Sequence, residues 1–146
     1  MIVSIFKSLD ISASALTAQS FRMDVISQNI ANANTTRTAE GGPYQRKVTV
    51  LGQQELSFSS VLDAQKADSQ VSGVVVVKTE ADETPFNLVY DPTHPDANAE
   101  GYVEMPNIDL VKEYVDMISA SRSYEANVTV MNATKQMVLK ALEIGR

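Results

Sequence analysis

His94 is the single histidine of the chain, and it stands between Asp91 and Asp96. An imidazole flanked by two carboxylates has the donor set to hold a divalent cation. Pro92 and Pro95 force a tight turn there, however, and metal ligands normally come from separate elements, so the stretch reads as a structural turn. Acidic side chains such as Glu40, Glu55 and the pair Asp82-Glu83 lie in polar stretches. General acid–base chemistry needs a desolvated or strongly coupled carboxylate, and nothing around these residues builds one. Serines are abundant, yet none sits in a G-x-S-x-G turn. Gly41-Gly42 runs into Pro43 with no Lys-Ser or Lys-Thr after it, so no phosphate cradle forms. Cysteine is absent, which removes thiolate catalysis, disulfides and Cys-based metal sites. We therefore expect no catalytic residue, no metal, no cofactor and no enzyme.

Two less ordinary features remain. Gln28-Asn29-Ile30-Ala31-Asn32-Ala33-Asn34-Thr35 is rich in asparagine, a residue that ends helices by capping or by left-handed geometry. N-x-[ST] triplets start at Asn34, Asn127 and Asn132; the last two fall on a predicted helix, and chance composition explains them.

The elements that position these residues follow from periodicity. Ile2, Leu9, Leu16, Met23 and Ile30 recur every seven residues, with Ile5 and Ile26 offset by three. This is the seam of a helix that winds against a partner. Small residues (Ser12, Ala13, Ser14, Ala15, Ala18) let other helices approach closely, and the helix should end near Asn32 to Asn34. Near the other end Leu110, Met117, Tyr124, Met131 and Val138 form a second row, and Tyr114, Ser121, Val128, Lys135 and Leu142 a third, four residues on. Pro106 bars helix upstream, Asn107 is the expected N-cap, and Asp109 suits the positive end of the dipole. A helix over 107–144 would be roughly 55 Å long, more than a small domain covers. Its partners should be the amino-terminal helix and other subunits. Tyr44–Leu51, Val71–Thr79 and Phe86–Tyr90 read as strands, with Gly73 a possible bulge, while Ser57–Gln70 fits a helix or a loop.

The fold class is thus mainly α with a small β-rich middle, the long terminal helices pairing as a coiled coil. The expected domains are 1–36 with 107–146 as a helical inner part, and 37–106 as a small acidic outer part. Charge supports that division: both ends sum to zero, and the middle carries the entire net charge of −6. Neutral ends suit packing against other chains, and an acidic centre suits water. No cluster of Lys and Arg is present to displace counterions from nucleic acid. The longest apolar run, Val74–Val77, is far short of the ~20 residues of a membrane helix. Met1–Lys7 lacks the layout of a cleaved secretion signal.

Ser14-Ala15-Leu16-Thr17-Ala18-Gln19-Ser20, followed by the run from Ile26 to Thr35, resembles the amino-terminal signature of bacterial flagellar rod and hook proteins. Tyr90-Asp91-Pro92-Thr93-His94-Pro95-Asp96-Ala97, Glu100-Gly101-Tyr102-Val103, Met105-Pro106-Asn107 and Met117–Asn127 extend the likeness. The short middle is similar to that of a proximal-rod subunit. Asn29, Asn32, Asn34, Asp91, Pro92, His94, Pro95 and Asp96 are the signature positions. The resemblance implies a structural subunit of the basal body in the periplasmic space. It would pass through the flagellar type III export apparatus without signal cleavage and form part of a torque-transmitting shaft around an export channel. Its implied partners are copies of itself, other rod proteins and the adaptor between rod base and export gate, with neither nucleic acid nor membrane insertion. Leu9, Leu16, Met23, Ile30, Leu110, Met117, Tyr124, Val128, Met131, Val138 and Leu142 are the expected packing and assembly residues. The alternative is a soluble coiled-coil adaptor or another type III secretion component.

Overall fold

The computed structural model describes residues 2–39, 41–54 and 72–144; Ser57–Gln70 and the expected stop at Gly145 fall outside them, as do the side chains of Ile2 and Ile5. In chain order the elements are α1 (Ile2–Ala31), β1 (Lys47–Gln53), β2 (Val74–Ala81), β3 (Asn87–Tyr90), β4 (Tyr102–Met105) and α2 (Leu110–Ile144). The mainly α composition with a small β middle is as expected. Strand β4 is an addition: it lies between the breakers Gly101 and Pro106, in a stretch that reads as connection.

The strands form two separate two-stranded sheets, β1 with β2 and β3 with β4. The second is antiparallel, with Asn87 opposite Met105 and Tyr90 opposite Tyr102. Its loop turns at Gly101, whose φ of +83° and lack of room (a Cβ would lie 3.0 Å from the Tyr90 ring) require glycine.

α1 stops where Asn32 Nδ2 donates to the Gln28 carbonyl at 2.8 Å and Thr35 N–H donates to Asn32 O at 3.0 Å. α2 begins differently from the expectation. Asp109 is its N-cap, with Oδ1 accepting from Val111 N–H at 2.9 Å and Lys112 N–H at 3.3 Å. Asn107 is engaged elsewhere, as described below. At 35 residues α2 spans roughly 52 Å.

The chain folds as two compact units, and the divisions fall inside α1, β1, β2 and α2. The first unit contains residues 1–21, 51–77 and 120–146. Here the buried helix residues are small: Ser12, Ala18, Ala120 and Thr134. The Thr134 hydroxyl is satisfied by donating to Val130 O at 2.9 Å. Ser14 Oγ donates to Ile11 O at 2.8 Å and accepts from Val74 N–H at 3.0 Å, fastening the start of β2 to α1. Gly73 permits that approach: a Cβ there would lie 2.5 Å from Ser14 Oγ. Its role is contact with α1 ahead of the strand, where a bulge had been the expectation. Gly73→Ala should cost about 1–3 kcal/mol through displacement of Ser14. Urea unfolding checks this, and an unchanged midpoint would refute the contact.

The second unit, residues 22–50 and 78–119, buries Val25, Ile26, Asn29, Val103, Pro106 and Glu113. It also holds the polar cluster on which the site is built.

Candidate functional site

Glu113, on the first turns of α2, is fully buried. Removing a carboxylate from water is costly unless its lone pairs are filled, and here they are. Arg46, just before β1, brings Nε and Nη2 to Glu113 Oε1, each at 2.7 Å. Asn29 Nδ2 donates to Oε2 at 3.0 Å. Arg46 also reaches Asp82 Oδ2 at 3.1 Å and Asp116 Oδ2 at 3.7 Å. Arg22 of α1 pairs with Asp116 Oδ1 at 3.4 Å. Within this unit Arg22 meets Asp116 and Asn29 meets Glu113, so α1 and α2 run antiparallel there.

Asn29 is 1% exposed and uses every hydrogen-bonding position of its amide. Nδ2 donates to Glu113 and to the Lys47 carbonyl at 2.8 Å, and Oδ1 accepts from Lys47 N–H at 3.0 Å and Tyr44 Oη–H at 3.2 Å. The amide therefore pairs with the Lys47 main chain as a neighbouring strand would. The sequence reading placed Asn29 among helix-ending residues; it lies inside α1 and joins the helix to β1 and α2. Asn32 alone of the three signature asparagines caps the helix through its side chain, and Asn34 is exposed in the following turn.

Asn107 has a similar role. Its Oδ1 accepts from Arg46 N–H at 2.8 Å, while Nδ2 donates to Asp82 O and Thr84 O, each at 3.0 Å. The asparagine expected to cap α2 instead fastens the segments around Arg46 and Asp82.

Electrostatics keep the cluster charged. Burial opposes the Arg46 charge, but hydrogen bonding and attraction from Glu113 and Asp82 outweigh it and hold the guanidinium pKa above its ordinary value. Asp82 is held below the usual carboxylate range, first by Thr84 N–H, then by the Thr84 hydroxyl, with Arg46 adding to both. Burial, and secondarily the Glu113 charge, push the Tyr44 hydroxyl up. The polar groups of the cluster are spent largely on one another, although Arg46 and Asp82 also line an open groove with Gln45, Val48, Glu80 and Glu83. Among the described residues no group of three His, Asp or Glu side chains is placed to hold a metal ion.

The signature loop joins β3 to β4. Asp91 Oδ1 accepts from Thr93 N–H at 3.0 Å and Thr93 Oγ1–H at 2.7 Å, and these bonds keep its pKa low. Pro92 and Pro95 are exposed on the loop. Asp96 accepts from Thr36 Oγ1–H at 2.9 Å and faces Arg37 at 3.8 Å, tying the loop to the segment that follows α1.

The packing residues divide by exposure. Leu9, Leu16, Met23 and Ile30 are half-buried, alternating with Ser12, Gln19 and Ile26 at spacings of three and four. On α2, Met117, Val128, Met131 and Val138 are half-buried, whereas Leu110, Tyr124 and Leu142 are exposed. The buried row of α2 lies three residues from the Leu110 row, not four: Glu113, Ala120 and Thr134, with Asn127 half-buried between them. A row of Glu, Ala, Asn and Thr carries no hydrophobic signal, which hid it. The cue was its seven-residue spacing beside Met117 and Met131. Arg46, Asp82, Glu113 and Asp116 were missed for the same reason: each reads singly as a solvated charge.

Two family descriptions match the chain, "Flagella basal body rod protein" over residues 9–37 and "Flagellar basal body rod FlgEFG protein C-terminal" over residues 99–144. The flagellar basal-body rod protein FlgC of Bacillus subtilis is 58% identical to it, over 97% of this chain and 98% of that protein. FlgC of Borreliella burgdorferi is 44% identical over 97% and 98%, and that of Escherichia coli O6:H1 is 42% identical over 99% and 100%. With helices at both ends, a short β middle and relatives matched over nearly their whole length, the chain belongs to the FlgC family of flagellar basal-body rod proteins.

Proposed function

We propose that this chain is a structural subunit of the flagellar proximal rod that polymerises through exposed faces of its terminal helices. The observation that carries this reading is an apolar stripe on α2. Leu110, Val111, Tyr114, Val115 and Ile118 follow one another at helical spacing, and Val111, Val115 and Ile118 are 72%, 61% and 54% exposed. An exposed contiguous apolar face marks an interaction surface. Phe6, Val130, Met137, Leu139 and Leu142 are further exposed apolar side chains on the helices.

In this reading the helical ends, 1–36 and 107–146, form the inner part of the shaft, and residues 37–106 face outward. Leu9, Leu16, Met23 and Ile30 pair with Leu110, Met117, Tyr124 and Met131 as a coiled coil, within or between subunits, while the small residues and Val128, Val138 and Leu142 meet neighbours. The neighbours are other copies, other rod proteins and the adaptor at the rod base. The chain reaches the periplasmic space through the type III export apparatus without signal cleavage, and the helically stacked subunits leave a central channel for later substrates. Among the described residues no helix is long and apolar enough to cross a membrane.

The test replaces Val115 and Ile118 by Asp in the chromosomal gene. Because both side chains already meet water, the purified variant should keep its helix content, with a stability change within about 0.5 kcal/mol. Swimming and recovery of the subunit in isolated basal bodies should be lost. Normal swimming would overturn the reading.

A further inference from the structure

His94 lies on the signature loop, and its ring is part of the loop's hydrogen bonding. Asp96 N–H donates to His94 Nδ1 at 3.1 Å. An imidazole nitrogen accepts only when it carries no proton, so this bond belongs to the neutral ring with its hydrogen on Nε2. Asp96 is also the residue that ties the loop to the segment after α1, through Thr36 Oγ1 and Arg37. Main chain and side chain of one residue thus connect the histidine to that tie.

Among the described residues, four charged groups surround this arrangement. Asp91 and Asp96 lie on the same loop, Arg37 comes from the segment after α1, and Glu104 of β4 lines the same groove as Arg37 and Asp96. Protonating Nδ1 sets two donors, Nδ1–H and Asp96 N–H, against each other. It also creates a cation whose charge acts on Asp91 of the same loop.

We propose that His94 is a proton-operated latch on the β3–β4 loop, closed when the ring is neutral and released when it is protonated. Release frees the Asp96 amide and weakens the hold of Asp96 on Thr36 and Arg37. The inference does not depend on which neighbour the rod subunit contacts.

The presence of one histidine makes the test direct. Long-range proton–nitrogen NMR spectra of the full chain at pH 8 should show Nδ1 without a proton; a ring protonated on Nδ1 at pH 8 would overturn the proposal. Amide exchange, corrected for its intrinsic pH dependence, should then be compared at pH 8 and pH 5. The loss of one hydrogen bond predicts an Asp96 amide protected about tenfold less at pH 5. His94→Asn places an acceptor of fixed character near Nδ1, and its Asp96 protection should be the same at both pH values. Equal protection in the natural chain at pH 8 and pH 5, or a pH effect that persists in His94→Asn, would refute the latch.

Discussion

Arg46→Ala should destabilise the chain by about 3–5 kcal/mol, because it strands a fully buried carboxylate. Typical domains have about 5–15 kcal/mol of stability, so the variant would sit near its unfolding threshold. The cost comes from what remains: Glu113 keeps Asn29 as a partner but loses both donors at Oε1, and Asp82 and Asp116 lose a shared cation. The pair itself contributes far less than its removal would suggest, since desolvation offsets most of its attraction. Glu113→Gln in the Arg46→Ala background removes the stranded charge and still offers Asn29 an acceptor. It should restore about half of the lost stability or more. Urea unfolding of the three chains decides the matter. A double variant as unstable as Arg46→Ala alone would show that the guanidinium acts mainly through its packing.

Asn29→Asp, a change of one atom type with almost no change of shape, should cost about 3 kcal/mol or more at pH 7. The substitution removes both N–H donors and sets a carboxylate oxygen where Nδ2 now stands, 3.0 Å from Glu113 Oε2 and 2.8 Å from the Lys47 carbonyl. Two carboxylates in that space cannot both ionise without penalty, so the new carboxyl has a raised pKa in the folded chain. A group whose folded pKa is raised supports the fold at low pH and loses that support as pH rises through the raised value. The deficit relative to the natural chain should therefore shrink between pH 7 and pH 5. Asn29→Ala, which brings no charge, should show a deficit from its unpaired neighbours that does not vary over that range. Identical pH behaviour of the two variants would mean that the new carboxyl escapes to water.

The sequence made the helices legible because Leu16, Met23, Met117 and Met131 announce a seven-residue repeat and Pro106 closes off the upstream side of α2. Three strands were readable from Val-rich or alternating runs, whereas β4, set between the breakers Gly101 and Pro106, read as connection. The interior of the second unit was not legible, for a physical reason. Glu113, Arg46 and Asn29 are buried only because each completes the others' hydrogen bonding, and that condition involves positions 84 residues apart for Asn29 and Glu113. Local pattern cannot report it. The likeness to rod and hook proteins marked Asn29 as a signature position, and its residue type alone read as helix-ending; the bonds it makes became visible only with β1 in place. Asn107 misled in the same way: a good capping residue next to a better one, Asp109, left free to fasten two other segments.

The Asn29 amide has a mechanical consequence. Apolar contacts between a helix and a strand resist pulling apart but slide at little cost, because one methyl group serves about as well as the next. A hydrogen-bonded amide has no such neighbouring minimum. Displacing α1 along β1 by a fraction of a residue stretches the bonds to Lys47 N–H, Lys47 O, Tyr44 and Glu113 together. In the proposed shaft, whose load would be shear, the asparagine would act as a key in a slot and stiffen the second unit against twist.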